Sequence, residues 1–378
     1  MSWGFVLPSD TPMREVKEPL LPATGPYMLS EYSPQRISAV RNPEFTEWSP
    51  AAQPDGYVDE ILFVNAEPKS ADPGSTEGVE AAARTVEENE NDLLTVAFEL
   101  PAELIQRLQR EYTERVHIRP FASTYGIAMN TRVPPFDDPD VRRAVNYSID
   151  RDQLVASFGG PELAAVTCQI LPSTIPGYEP YCPYTAEPKN GRWSGPDLGR
   201  ARSLIQRSGY EGSRVVIHDA VIFHGLGDYM KGLLTDLGFR ARVEFITDVG
   251  KYFNTISDSG SKTQMFGVGW IADYSVPSNF LYNLFSCERY IPNSLSNTNY
   301  SRTCVPQIDR AMEKAFRLDS ENPAAGREQW AAVERMIMDH AGWAPFLNAE
   351  TVGFVSDRVG NYQHNPQWGA LFSQLWVE

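Results

Sequence analysis

The chain has 378 residues, of which 42% are hydrophobic and 11% aromatic, enough for a sizeable core and for two or three domains or lobes. Its 33 basic and 49 acidic residues give a formal charge of −16, which argues against a surface for nucleic acid or anionic membranes. No stretch of the sequence approaches the roughly 20 consecutive apolar residues that a membrane-spanning helix needs.

The first third of the chain predicts strands that alternate with helices. Residues 1–19 form a proline-containing, extended lead-in, and residues 66–78 form a polar loop. The predicted elements are a strand pair within 28–40 that turns at Ser33-Pro34-Gln35, strands at 58–65, 93–98, 116–118 and 125–129, and helices at 79–90 and 101–111. This alternation favours an α/β fold.

Two consecutive helices are predicted after Asn130. Asp138 or Asp140 is placed to cap the first helix, and Asp150 is placed to cap the second, with Gln153 three residues later in capping-box spacing. Gly159-Gly160 ends the pair.

The α/β alternation resumes towards the carboxy terminus. A helix opens at Pro196 and ends at Gly209, and the last stretch, from residue 341, has strand-like runs that can return to the first lobe. The remaining predicted elements are strands at 214–220, 240–247 and 264–270 and helices at 229–237, 307–318 and 323–340.

The four cysteines form two close pairs in loop-like sequence. Cys168 and Cys182 are 14 residues apart, and Cys287 and Cys304 are 17 apart. Neither pair has the short spacing of a zinc or redox site. Two disulfide-closed loops in an oxidising, extracytoplasmic compartment are the natural interpretation, and four buried thiols in a cytosolic protein are the alternative.

The amino-terminal residues by themselves predict no export signal, in contrast to the expectation from the cysteines. Residues 1–10 lack a basic region followed by the roughly 7–15 apolar residues of a secretory signal, and no lipid-anchor cysteine is near.

Sequence motifs give no indication of an enzyme, a cofactor or a metal site. The chain lacks a phosphate loop and the H-E-x-x-H and G-x-S-x-G motifs. Its five histidines are scattered along the sequence: His117, His218, His224, His340 and His364.

The most distinctive segment is GVGWIADYSVPSNFL, which begins at Gly267. Its glycines allow close approach of the backbone to a ligand, Trp270 supplies a flat apolar wall, and the carboxylate of Asp273 suits an ammonium group. The structural alternative is that Trp270 belongs to the core and Asp273 caps the following loop. The spacing of the residues alone does not decide between the two interpretations.

Three segments resemble the extracytoplasmic solute-binding proteins of ABC importers, in the family that takes up oligopeptides, dipeptides and nickel. They are, in family order, ATGPYMLSEYSPQRISAVRNPEF (23–45), PPFDDPDVRRAVNYSIDRDQLV (134–155) and GWIADYSVPSNFL (269–281). One departure is Val276-Pro277, where the family often has Asp-Pro. The larger departure is at the front, where the family's signal, lipid-anchor cysteine, first strand and extra subdomain have no counterpart.

The resemblance implies a type II periplasmic binding protein fold with two lobes. Lobe one would comprise 20–130 and 350–378, without its amino-terminal part and extra subdomain, and lobe two would comprise 131–349. Hinge strands would cross at Asn130–Thr131 and at Asn348–Ala349. A solute would be captured in the cleft as the lobes close and then delivered to membrane permease subunits.

The resemblance also implies roles for individual residues. Asp273 would hold the amino terminus of a peptide beside Trp270, with Tyr274, Asn130 and Tyr125 as further ligand contacts. Cys287 and Cys304 match the position of a dipeptide-binding member's disulfide. The full-length protein would be extracytoplasmic and membrane-anchored. A nickel chelate or an oligosaccharide is the alternative ligand, a truncated fragment that binds nothing is another alternative, and a hydrolase is disfavoured.

Overall fold

A computed structural model describes residues 7–12, 20–33, 35–51, 54–64, 76–96, 100–223 and 225–378. Most of the predicted lead-in and of the loop at 66–78, together with Pro34 and His224, lies outside these residues. The helices are α1 (Thr76–Glu87), α2 (Ala102–Glu111), α3 (Pro139–Ser148), α4 (Arg151–Ser157), α5 (Leu198–Ser208), α6 (Leu226–Asp236), α7 (Val249–Ser257), α8 (Pro277–Phe285), α9 (Pro306–Glu321) and α10 (Pro323–His340). The strands are β1 (Tyr27–Tyr32), β2 (Arg36–Arg41), β3 (Glu60–Val64), β4 (Leu93–Val96), β5 (Val116–Pro120), β6 (Ser123–Met129), β7 (Ala164–Val166), β8 (Arg214–Ala220), β9 (Arg240–Ile246), β10 (Met265–Ile271), β11 (Trp343–Val355), β12 (Val359–Gly360), β13 (His364–Asn365), β14 (Gly369–Ala370) and β15 (Trp376–Val377).

The chain divides into two compact units. The first comprises Met1–Arg119 with Glu350–Glu378, and the second comprises Pro120–Ala349. The sequence-based end of lobe one, residue 130, lies inside the second unit. The reason is that β6 is hydrogen-bonded to β10 on one side and to the first half of β11 on the other. Among the helices described, none is long and apolar enough to cross a membrane.

The first unit contains a small antiparallel sheet in the order β1-β2-β3. The predicted hairpin is confirmed, with Tyr27 opposite Arg41 and Tyr32 opposite Ile37. In the same unit β4 pairs with residues 352–355 of β11. The guanidinium of Arg115 lies against the rings of Tyr112 and Phe354 and donates to the carbonyl of Val355, which fixes the end of α2 to this strand.

The second unit is built on a mixed sheet in the order β11-β6-β10-β8-β9. Strands β8, β9 and β10 run parallel to one another, and β6 is antiparallel to β10. Helix α6 packs on β8 and β9, α3 packs against α5, and α9 packs against α10. Because β8, β9 and β10 are parallel, their carboxy ends meet at one edge of the sheet, where the segment after Ile271 begins.

The capping signals of the predicted helix pair are confirmed. Asp138, rather than Asp140, caps α3 by accepting from the backbone N–H groups of Asp140 and Val141. Asp150 caps α4 by accepting from the N–H of Gln153 at 3.1 Å. The prediction that Pro196 opens α5 is two residues early, because the Asp197 side chain caps this helix from position 197.

Two helices of the second unit, α7 and α8, are not predicted by the sequence patterns. Helix α8 has seven buried residues out of nine, so it shows no one-sided apolar stripe. Helix α7 is short and begins after Asp248, whose side chain accepts from the N–H of Lys251. Both helices follow strands at the carboxy edge of the sheet, and α8 contributes a residue to the candidate site.

Both predicted disulfides are confirmed. Cys168 is bonded to Cys182, and Cys287 is bonded to Cys304. Two buried side chains hold the first disulfide loop. The carboxyl group of Glu334 on α10 accepts from the N–H of Leu171 at 2.6 Å and from Gln169 Nε2 at 2.7 Å.

The second of these side chains is Arg151 at the start of α4, which is fully buried. Its guanidinium donates to the backbone carbonyls of Thr167, Pro345, Asn146 and Tyr184 at 2.9–3.5 Å. It thereby ties together both ends of the disulfide loop, α3 and β11. Burial lowers its pKa to about 10, so it stays protonated at neutral pH.

Candidate functional site at the carboxy end of β10

The segment that leaves β10 is organised by one buried amide, that of Asn279 on α8. Its Oδ1 accepts from the indole Nε1–H of Trp270 at 3.0 Å and from the backbone N–H of Asp273 at 3.1 Å. Its Nδ2 donates to Oδ2 of Asp273 at 3.0 Å. Asn279 has no exposed surface, whereas Trp270 and Asp273 are half-buried. The structure therefore brings the predicted Trp270 and Asp273 together.

Sequence reasoning did not single out Asn279. It lies six residues after Asp273, inside the segment quoted for the resemblance, but its partners are set by how α8 packs on the end of β10. The available signal is a set of polar residues, Ser278, Asn279 and Asn283, within a mostly apolar helix, PSNFLYNLF.

The glycines of this segment make room for rings of the protein itself. A Cβ at Gly269 would lie 2.5 Å from Cε1 of Tyr125, and a Cβ at Gly267 would lie 2.9 Å from the ring of Phe223. The expectation that these glycines admit a ligand is therefore corrected, since aromatic side chains fill that space.

Tyr125 and Trp270 lie on opposite faces of the sheet. Gly269 pairs with Tyr125 across the β6–β10 ladder, and Trp270 pairs with Thr124. Because neighbouring residues of a strand alternate faces, Trp270 points away from the face on which Tyr125 covers Gly269. Burial raises the pKa of the Tyr125 phenol. The ligand-binding role of Tyr125 stays a prediction.

The packing of Tyr125 on Gly269 gives the first testable prediction. Gly269→Ala adds only a Cβ, yet it is expected to lower the free energy of unfolding by about 1–3 kcal/mol, because ring or strand must shift. Gly232→Ala on α6 is the control, since its Cβ would meet no heavy atom within 4 Å. That variant is expected to be about 0.5–1 kcal/mol more stable than the wild type. Urea unfolding measures both changes, and equal midpoints for Gly269→Ala and wild type would contradict the account.

The other predicted contacts are spread over the second unit. Tyr274, next to Asp273, is 37% exposed. Asn130 is fully buried at the end of β6, where its Nδ2 donates to the carbonyl of Thr263 at 2.7 Å. The backbone N–H of Thr131 donates to the carbonyl of Ser301 at 3.0 Å. These bonds hold residues 130–131 within the second unit, and their ligand and hinge roles stay predictions.

The second predicted hinge pair lies at the boundary of the units. Asn348 Nδ2 donates to the carbonyl of Ser123 and to Oγ1 of Thr124, and the carbonyl of Ala349 accepts from Phe121. Ala349 is the last residue of the second unit. The hinge role of this pair also stays a prediction.

A cavity of about 460 Å³ lies within the first unit. It is lined by residues of β2, β3, α1, β4 and the carboxy-terminal tail, Ile37, Phe63, Val86, Leu94 and Phe372 among them. The lining mixes apolar with polar side chains and includes none of the predicted ligand contacts. Within the described parts of the chain, no three His, Cys, Asp or Glu side chains are grouped so as to hold a metal ion.

Comparison with known families decides the affiliation of the chain. Residues 6–291 match the family described as "Bacterial extracellular solute-binding proteins, family 5 Middle". The chain belongs to this family. The family and its fold are those of solute-binding proteins rather than enzymes.

Curated relatives of this family 5 protein are similar over part of their length. "Probable di/tripeptide-binding protein 5" of Pseudomonas aeruginosa is 25% identical over 288 residues, which cover 72% of the chain and 49% of the relative. "Glutathione-binding protein GsiB" of Escherichia coli strain K12 is 25% identical over 284 residues, covering 73% and 52%. The chain spans about half the length of these relatives.

Solved structures show the fold of this family 5 protein. "Clavulanic acid biosynthesis oligopeptide binding protein 2" superposes with a TM-score of 0.78 at 23% identity, over 93% of the chain and 63% of that structure. DppA of Helicobacter pylori, solved in complex with the peptide STSA, gives 0.72 at 20% identity, over 94% and 63%. The predicted type II periplasmic binding protein fold is confirmed.

Proposed function

We propose that this protein is the solute-binding component of an ABC importer, and that it captures peptides outside the cytoplasm and delivers them to membrane permease subunits. The observation that carries the proposal is the carboxylate of Asp273, held beside the half-buried indole of Trp270 at the carboxy end of β10. An ammonium group gains a charge-assisted hydrogen bond from such a carboxylate and an electrostatic attraction to the face of the indole.

The peptide amino terminus is the ammonium that we assign to this site. It occurs in every unmodified peptide whatever the side chains, so one carboxylate serves many sequences. The names of the relatives put dipeptides, tripeptides and glutathione first among the ligands to test. The two disulfides support a place outside the cytoplasm, because such bonds persist in oxidising compartments.

Replacement of Asp273 tests the proposed amine contact. Asp273→Ala is expected to weaken peptide binding roughly 10- to 100-fold, because a hydrogen bond to a charged group contributes about 1.5–3 kcal/mol. Titration calorimetry with a panel of dipeptides, tripeptides and glutathione measures the change. Asp236→Ala, an exposed position on α6, is the control and is expected to bind like the wild type.

Two outcomes would contradict the proposal. Unchanged peptide affinity of Asp273→Ala would show that this carboxylate does not hold the amine. Binding of a nickel chelate or an oligosaccharide, with none of the peptides bound, would assign the protein to a different class of solute.

A further inference from the structure

The hydrogen bonds of Asn279 join three groups of the candidate site through one side chain. Its Oδ1 receives the N–H of the Trp270 indole and the backbone N–H of Asp273, and its Nδ2 donates to the Asp273 carboxylate. The amide orientation is unambiguous, because two donors face one end of the side chain and a carboxylate oxygen faces the other.

This arrangement determines what the indole can offer a ligand. The only polar hydrogen of the Trp270 side chain is already donated to Asn279, at 3.0 Å. The indole therefore presents only its ring surface, which attracts a cation or an apolar group and gives a neutral acceptor no hydrogen bond. The same amide holds one oxygen of Asp273, so carboxylate and ring are fixed relative to each other.

We propose that Asn279 is a positioning residue that makes the site selective for a free ammonium group. The inference rests on the proposed function, since it assigns how Asp273 and Trp270 are arranged for the ligand amine. Asn279 acts through these two residues: it is fully buried and lies behind them in α8. Fixing both groups before binding removes the cost of ordering them when the ligand arrives.

Asparagine is suited to this position by its two chemically different ends. Leucine has a similar size but neither accepts from the indole nor donates to the carboxylate. Aspartate would keep the acceptor for Trp270 but would set a second carboxylate against Asp273. Serine is too short to reach both partners at once.

The first arm of the experiment needs no ligand. The eight tryptophans of the chain give eight indole N–H signals in ¹⁵N NMR, and Trp270→Phe identifies the one from Trp270. Asn279→Leu is expected to speed solvent exchange of that indole hydrogen by about tenfold or more, because its acceptor is removed. Asn283→Leu, one turn further along α8, is the matched control and is expected to leave exchange unchanged.

The second arm measures selectivity in calorimetry, as the ratio of affinities for a tripeptide panel and for the same peptides N-acetylated. The wild type is expected to prefer the free amines by about tenfold or more, and Asn279→Leu is expected to lose most of this preference. A purely structural role would weaken both sets equally and leave the ratio unchanged. If the leucine variant does not fold, Asn279→Ser is expected to show both changes.

The outcomes separate the two proposals. A wild type without any preference for the free amine would overturn the ammonium contact at Asp273, while the indole exchange would still report the role of Asn279. A wild type with the preference, together with an Asn279 variant that keeps both the preference and slow indole exchange, would overturn the positioning role alone.

Discussion

Arg151→Met is expected to lower the free energy of unfolding by about 3–5 kcal/mol, because several buried carbonyls lose their donor at once. The guanidinium is fully buried and donates to four backbone carbonyls, from α3, β11 and both ends of the first disulfide loop. It also lies 4.8 Å from the centre of the Trp193 ring. Methionine preserves most of the apolar stem but leaves these acceptors unpaired.

Urea unfolding measures the loss, with Arg202→Met as the control. Arg202 is exposed on α5, so its replacement is expected to change stability by no more than about 0.5 kcal/mol. If Arg151→Met proved as stable as the wild type, the cost of burying the guanidinium would have to equal the gain from its hydrogen bonds. That result would remove Arg151 as the link between the disulfide loop and the sheet.

The stability of the protein is expected to depend on pH through the buried carboxyl group of Glu334. Burial raises the pKa of this carboxyl to about 8, while its hydrogen bonds from Leu171 and Gln169 and the charge of Arg335 act in the opposite direction. The folded state therefore holds the proton more tightly than the unfolded state. The stabilisation is fully present below about pH 4.5, the ordinary value, and is lost as the pH rises towards 8.

The expected result is that the wild type loses about 3 kcal/mol relative to Glu334→Gln between pH 5 and pH 8, since one pKa unit corresponds to about 1.4 kcal/mol. Urea unfolding of both proteins at the two pH values measures this difference. Glu328→Gln, exposed on the same helix, serves as the control and is expected to follow the wild type at both values. A stability difference between wild type and Glu334→Gln that does not change with pH would contradict the raised pKa.

Local signals explain which elements the sequence predicts well. Asp138 and Asp150 cap α3 and α4 through backbone N–H groups two or three residues away, so the information is contained in neighbouring residues. The cysteines of each pair are likewise close in sequence, and this clustering predicts both disulfides. Helix α8 was missed because it is buried on nearly all sides, and the periodicity of a one-sided helix is then absent.

The arrangement of the candidate site depends on contacts between residues that are far apart in the sequence, which local patterns do not predict. Trp270 stands out in the sequence because it lies at the end of a glycine-containing strand, and Asp273 stands out because it follows that strand closely. The sequence does not indicate why residue 269 is a glycine, because Tyr125, which covers it, lies about 140 residues earlier in the chain and reaches it only through the β6–β10 register. The role of Asn279 depends on the packing of α8 against the strand end, which no spacing rule specifies.

The amine-binding role of Asp273 is tested by calorimetry of the wild type and of Asp273→Asn with tripeptides that carry a free or an acetylated amino terminus. Asparagine keeps the size and removes the charge. We expect the wild type to bind the free amines about tenfold or more tightly than the acetylated forms, and Asp273→Asn to bind both about equally. An unchanged preference in Asp273→Asn, or none in the wild type, would contradict the assignment of Asp273 as the amine-binding carboxylate.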